Sequence, residues 1–170
     1  GSHTEGRIAA KNMVRFVQDN QGHNPALKGD ISEITEEIYK PVRTYLEHKD
    51  KTTEEDVNPF YILPRMFQMR LQKIMDEYVA GVSTYYNTNE KLLTMGLDLL
   101  EMLKEDSEHL RAKDLHELLR AWENYHRLRT AEAHLRHILY REETRYPGFF
   151  YRADFPDLDD ENWKVFVNSR

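Results

Sequence analysis

The sequence contains no cysteine. That excludes disulfides, a nucleophilic thiol and cysteine-ligated iron–sulfur clusters within the chain, and it fits a cytoplasmic setting. No apolar run approaches the ~18 residues that a membrane span needs, and no secretory apolar region follows the N-terminus. There is no Gly-rich phosphate loop, no Walker motif and no nucleophile elbow. Strand signals are weak, and there are no internal repeats or low-complexity segments. The net charge of −6 argues against a nucleic-acid partner, which needs a concentrated basic face.

What is present is a pattern of helices. The 170 residues fit one domain, or one domain with an appended element, and are enough to bury a core. A first helix is expected over about Thr4 to Asp19, with Thr4 as a cap and Ile8, Ala9, Met13, Phe16 and Val17 at helical spacing. The turn formers from Asn20 to Pro25, continuing to Gly29-Asp30, mark a candidate domain boundary. A second helix begins near Ser32 and carries Ile34, Ile38, Val42 and Leu46; Pro41 inside it should kink or restart it. After a polar loop from Lys49 to Asn58, a third helix spans about Pro64 to Gly81 and a fourth about Asn89 to Lys104. The fifth is the clearest, about Asp114 to Glu143, with Leu115, Leu118, Trp122, Tyr125, Leu128, Leu135 and Ile138 stepping by three and four.

These long helices predict an all-α fold, an antiparallel bundle followed by an irregular aromatic-rich tail from Phe149 to Arg170. The domain reading is 1–29 for a first helix and linker, 30–148 for the bundle and 149–170 for the tail. The tail's Phe149, Phe150, Tyr151, Phe155, Trp163 and Phe166 suggest that it wraps over a surface.

Few residues invite chemistry. His134 and His137 share a helix face, but zinc motifs on helices use spacing four with an intervening Glu, and no third ligand is evident; no metal is expected. The plainer reading is two polar residues lining an interdomain surface. Arg141, Arg145 and Arg152 gather near the end of the long helix with Glu142 and Glu143. Ion pairing with those glutamates is one reading; contact with an anion or cofactor across a domain interface is the other, because the guanidinium fork holds oxyanions bidentately. Met66, Met69 and Met75 read as core filler. Asp157, Asp159, Asp160 and Glu161 lack the calcium-loop spacing and read as a solvated acidic turn. No self-contained catalytic site emerges.

Three blocks are more specific: Ala121-Trp122-Glu123-Asn124-Tyr125-His126-Arg127 running on to His137, Arg141 to Asp154, and Leu71 to Tyr78 with Val82-Ser83-Thr84-Tyr85-Tyr86. With the opening Thr4-Glu5-Gly6-Arg7-Ile8-Ala9-Ala10-Lys11, they resemble the flavoprotein (alpha) subunits of dissimilatory adenylylsulfate reductases over nearly the whole chain. The wider succinate dehydrogenase, fumarate reductase and aspartate oxidase family has a related Glu-Ser-Arg-Gly-Ala-His segment, then an Arg before Asp-Phe/Tyr-Pro. Here it reads Glu143-Thr144-Arg145-Tyr146-Pro147-Gly148, with Arg152 ahead of Asp154-Phe155-Pro156. The Tyr-Pro-Gly-aromatic insertion favours the sulfur enzyme.

The resemblance implies a parent oxidoreductase of sulfur metabolism that interconverts adenylylsulfate with AMP and sulfite on FAD. Electrons would come from a small iron–sulfur beta subunit with two [4Fe–4S] clusters. The chain would begin at the last helix of the FAD-binding domain and end short of the family's tail, as a part of the parent. It would buttress the FAD-binding domain, bind no FAD by itself and be inactive alone. Ser2, His3 and Thr4 would lie near the flavin, with Arg145, and Arg152 as a second candidate, facing the active-site side, though the family usually has an aromatic where His3 stands. Gly1-Ser2-His3 reads either as native sequence or as the scar of a cleaved tag. Two other readings stay open: a succinate- or fumarate-type flavoprotein, and a free-standing helical scaffold. Apolar patches left open by a missing neighbour would allow a non-physiological dimer.

Overall fold

A computed structural model describes residues 1–22, 30–49, 61–145 and 149–168. The turn from His23 to Gly29, most of the polar loop after Lys49, and Tyr146-Pro147-Gly148 lie outside the described residues. The chain divides into two compact units, Gly1–Glu37 and Ile38–Arg170.

The first unit holds α1 (Ser2–Asp19) and the first turns of α2 (Ile31–His48). Gly1 occupies the cap position of α1 without a side-chain hydrogen bond, so Thr4 lies inside the first turn and does not cap. At the other end, the Asn20 side chain donates to the Phe16 carbonyl at 2.8 Å, and Gly22 turns the chain at a φ of +93°. No residue of α1 is buried: Ile8, Met13, Phe16 and Val17 are each more than half exposed. At the head of α2 the Asp30 carboxylate accepts the Ser32 N–H at 2.9 Å, satisfying one of the donors that every helix start leaves over.

The second unit begins within α2, which runs through Pro41 as one helix rather than restarting there. Pro41 is buried, the Tyr39 ring lies 6.0 Å from that of Trp122, and Lys40 pairs with Glu108. The bundle proper is α3 (Pro64–Tyr78), α4 (Glu90–Asp106) and α5 (Leu115–Tyr140). Asn89 caps α4 by accepting the Leu92 N–H at 3.0 Å, and Asp114 caps α5 by accepting the Glu117 N–H at 2.8 Å. Contacts at the ends set their order in space. Ile62, just before α3, exchanges backbone hydrogen bonds with His109 and Arg111, just after α4. Arg70 of α3 pairs with Asp106 of α4 at 2.7 Å. The α4 start is tied to the α5 end through Asp154 and Arg152. Thus α4 runs opposite to both α3 and α5.

The core between them is Phe67, Leu71, Leu93, Leu100, Leu103, Leu128, Leu135 and Ile138. Each such aliphatic or aromatic side chain contributes roughly 2 kcal/mol on leaving water. Gly96 lets α4 approach closely: a Cβ there would meet Leu135 Cδ1 at 3.0 Å and Tyr78 Cβ at 3.1 Å. The methionines divide. Met75 packs against the core, whereas Met66 and Met69 are about half exposed. The buried stripe of α3 runs through Phe67, Leu71, Ile74, Met75 and Tyr78, so Met66 and Met69 are not core filler.

After α3 the N–H of Gly81 bonds back to the Asp76 carbonyl at 3.1 Å, with Ala80 left-handed at φ 58°. This six-residue closure is a Schellman-type helix end. Tyr85 and Tyr86 then adopt positive φ, and the chain enters β1 (Asn87–Thr88), which pairs in parallel with β2 (Tyr151–Arg152). The short helix α6 (Asp160–Trp163) completes the tail. Its aromatics split: Phe150 packs on the core, Trp163 meets Tyr140 edge-on at 5.4 Å, and Phe149 and Phe166 are exposed. The fold is all-α, and no helix among the described residues is long and apolar enough to cross a membrane.

Candidate functional site

The long helix stops at Tyr140, three residues before the end expected from periodicity. Arg141 turns to extended backbone there, and the residues beyond it feed two buried ionic clusters that a continuing helix could not form.

The first cluster is built on Arg152, only 1% exposed. Its Nη1 donates to the carbonyls of Ile138, Leu139 and Arg141 at 2.6, 3.1 and 3.0 Å, satisfying the carbonyls that a helix end leaves over. Its Nε and Nη2 grip the Asp154 carboxylate, both at 2.8 Å, and the guanidinium lies 5.0 Å from the Phe155 ring centre. Asp154 also accepts the Glu90 N–H at 2.8 Å. The Arg152 hydrogen bonds hold the Asp154 carboxyl down at a pKa of about 2, against the opposing effect of burial. Arg152 is therefore committed to holding the fold, its guanidinium taken up by Asp154 and by the chain's own carbonyls.

The second cluster is built on Glu143, which has no exposed surface. Its Oε1 accepts from Arg145 Nε and from Arg141 Nη1, each at 2.5 Å. Its Oε2 accepts from Arg145 Nη2 at 2.9 Å and from the Asp159 N–H at 3.0 Å. Burial pushes the Glu143 carboxyl up, but these donors outweigh it and hold the group below its ordinary value. Arg141 reaches on to the carbonyls of Trp163 and Val165, both at 2.8 Å, fastening the tail. Arg145 Nη2 also pairs with Asp160 at 3.0 Å. Of the two expected glutamates it is Glu143 that takes both arginines. The acidic turn is only partly solvated: Asp160 engages Arg145, and Asp159 caps α6 by accepting the Asn162 N–H at 3.0 Å.

His134 and His137 line an open groove of about 390 Å³ with Ile138, Arg141, Phe149 and Phe150. His137 Nδ1 lies 2.7 Å from the Ala133 carbonyl and so donates to it. Among the described residues no group of three or more His, Cys, Asp or Glu could hold a metal ion.

The other expected cofactor contacts belong to the first unit. Ser2, His3 and Thr4 form the exposed first turn of α1, whose N-terminal amides have no side-chain cap. Uncapped amides at a helix start suit an electron-rich ring edge or anion. Arg145 lies in the second unit. The sequence pattern does not single out Asp154, or Thr144, whose hydroxyl accepts the Arg152 backbone N–H at 3.0 Å, as partners of Arg152. The Arg-x-Asp spacing is the only signal, and it does not announce burial.

Residues 68–168 match the family model described as fumarate reductase flavoprotein C-term. The chain belongs to this family. Over its whole length it is 55% identical to the adenylylsulfate reductase subunit alpha of Megalodesulfovibrio gigas, of which it spans 26%. The adenylylsulfate reductase structure from Archaeoglobus fulgidus superposes with a TM-score of 0.80 at 56% identity, over 96% of this chain and 26% of that one. The Sdh1 complex of Mycobacterium smegmatis aligns at a TM-score of 0.59 and 18% identity over 82% of this chain, a likeness of fold. The chain thus spans about a quarter of the length of its adenylylsulfate reductase relatives.

Proposed function

We propose that this chain is the C-terminal helical part of an adenylylsulfate reductase flavoprotein subunit. Its parent would interconvert adenylylsulfate with AMP and sulfite. The observation that carries this reading is the 55% identity sustained over all 170 residues. Such identity, with a TM-score of 0.80 at 56% identity against one such reductase, supports the sulfur enzyme.

In this reading the bundle buttresses the FAD-binding domain and is inactive alone. FAD, held by the parent, supplies the two-electron chemistry. The α1 start would bring the amides of Ser2, His3 and Thr4 to the flavin margin, where a positive helix end stabilises negative charge. Arg145 would hold an anionic group on the active-site side. The partner is an iron–sulfur beta subunit, which fits a chain with no cysteine of its own. The exposed apolar face of α1 supports a covering neighbour, which we assign to the FAD-binding domain of the same parent chain. The setting is cytoplasmic.

The test is dye-coupled sulfite oxidation with AMP by the full-length parent and its partner, wild type against Arg145→Ala. Activity in the wild type, and a loss of about tenfold or more (roughly 1.4 kcal/mol) in the variant, supports both assignments. Oxidation of succinate instead would move the parent to the dicarboxylate enzymes. No activity with either pair would mean that the family marks a fold and not this reaction. Stoichiometric FAD binding by the 170-residue chain alone would overturn the buttressing role.

A further inference from the structure

Arg145 is held by one edge of its guanidinium. Nε and Nη2 face Glu143 at 2.5 and 2.9 Å, and Nη2 also reaches Asp160 at 3.0 Å. Nη1 has no partner among the described residues. It carries two N–H donors. Arg145 also lines a groove of about 490 Å³ whose other ionisable lining residues, among the described residues, are His137, Arg141 and Lys164, with no carboxylate. Glu143 itself cannot turn. Arg141 and the Asp159 amide fix it from two further sides, and its side chain has no exposed surface.

The geometry points to Glu143 as a positioning residue, whose carboxylate fixes the Arg145 guanidinium so that Nη1 is presented to an oxyanion of the substrate. This rests on the proposed placement of Arg145 on the active-site side. A free arginine would surrender about 2 kcal/mol of rotamer freedom on gripping a ligand; one already clamped surrenders less. A lysine at this position keeps the charge but cannot hold Glu143 bidentately and present a third nitrogen as well.

The experiment is a double-mutant cycle in the full-length parent with its iron–sulfur partner, read as kcat and KM for sulfite and AMP beside thermal stability. Arg145→Ala and Glu143→Gln are each expected to lower kcat/KM about tenfold, mainly through KM for one of these anions. The double variant should fall no further than Arg145→Ala. Arg145→Lys should behave like Arg145→Ala, and it carries the test should Glu143→Gln fail to fold. Wild-type kcat/KM in Glu143→Gln beside an impaired Arg145→Ala would overturn the positioning role while leaving Arg145 at the site. So would losses that multiply to about a hundredfold, or full activity in Arg145→Lys. Full activity in Arg145→Ala would remove the reading of Arg145 itself.

Discussion

Arg152 and Asp154 form a bidentate pair at 2.8 Å that joins the end of α5 to the start of α4. The arginine takes up two α5 carbonyls and that of Arg141 just beyond the helix, while the aspartate accepts the first α4 amide. Removing the carboxylate charge strands a guanidinium that is 1% exposed. Asp154→Asn should therefore cost about 3 kcal/mol, since breaking a buried pair leaves an uncompensated charge. Urea denaturation of the 170-residue chain checks this; a loss under about 1 kcal/mol would mean that the pair is solvated in solution.

The same pair sets a pH dependence. Asp154 has its folded pKa depressed to about 2 from an ordinary 3.8. A depressed carboxyl contributes stability that is fully present above its unfolded pKa and is lost as pH falls through the folded one. The contribution is about 2 kcal/mol. The stability gap between wild type and Asp154→Asn should hold from pH 7 to about 5 and narrow between pH 4 and 2. A gap that stays constant to pH 2 would exclude the pair as its source.

Gly81 closes the α3 end where a Cβ would lie 2.3 Å from the Asp76 Cα. A backbone neighbour cannot swing aside. Gly81→Ala should destabilise by about 2 kcal/mol or more, although its φ of −80° is open to any residue. Thermal unfolding would register this as a clear fall in Tm; an unchanged Tm would mean that the helix end relaxes freely.

Leu135 is fully buried and touches the space that a Gly96 Cβ would fill. Leu135→Ala should cost about 3 kcal/mol. Gly96→Ala crowds the same spot, so the two changes should couple. The double variant should be more stable than the sum of the singles by roughly 0.5 kcal/mol or more. Strict additivity would show that α4 and α5 do not meet there.

The α1 face of Ile8, Met13, Phe16 and Val17 is open in this chain. Sedimentation should find self-association that weakens when Phe16→Ser and Val17→Ser are introduced together. A strictly monomeric wild type at high concentration would speak against an adhesive face.

The helices are legible in the sequence because each signal is local. Asp114 with Glu117 announces the α5 start, and Leu128, Leu135 and Ile138 share one face at helical spacing. The all-α class, the α3 to α5 order and the family resemblance all come from such runs. Met66 and Met69 are misplaced by a sequence reading because apolar type does not say which face of a helix meets a neighbour.

What the sequence by itself determined was therefore the helical content, the absence of cysteine chemistry and the family. What only the tertiary structure decided was the fate of the arginines. Arg141, Arg145 and Arg152 look alike along the chain, yet Arg152 is buried in a helix cap, Arg141 fastens the tail, and Arg145 alone keeps Nη1 without a partner among the described residues. The physical reason is that a guanidinium's role depends on which acceptors lie around it. Those acceptors come from the α5 end, from the tail and from Glu143, and the fold alone brings them together.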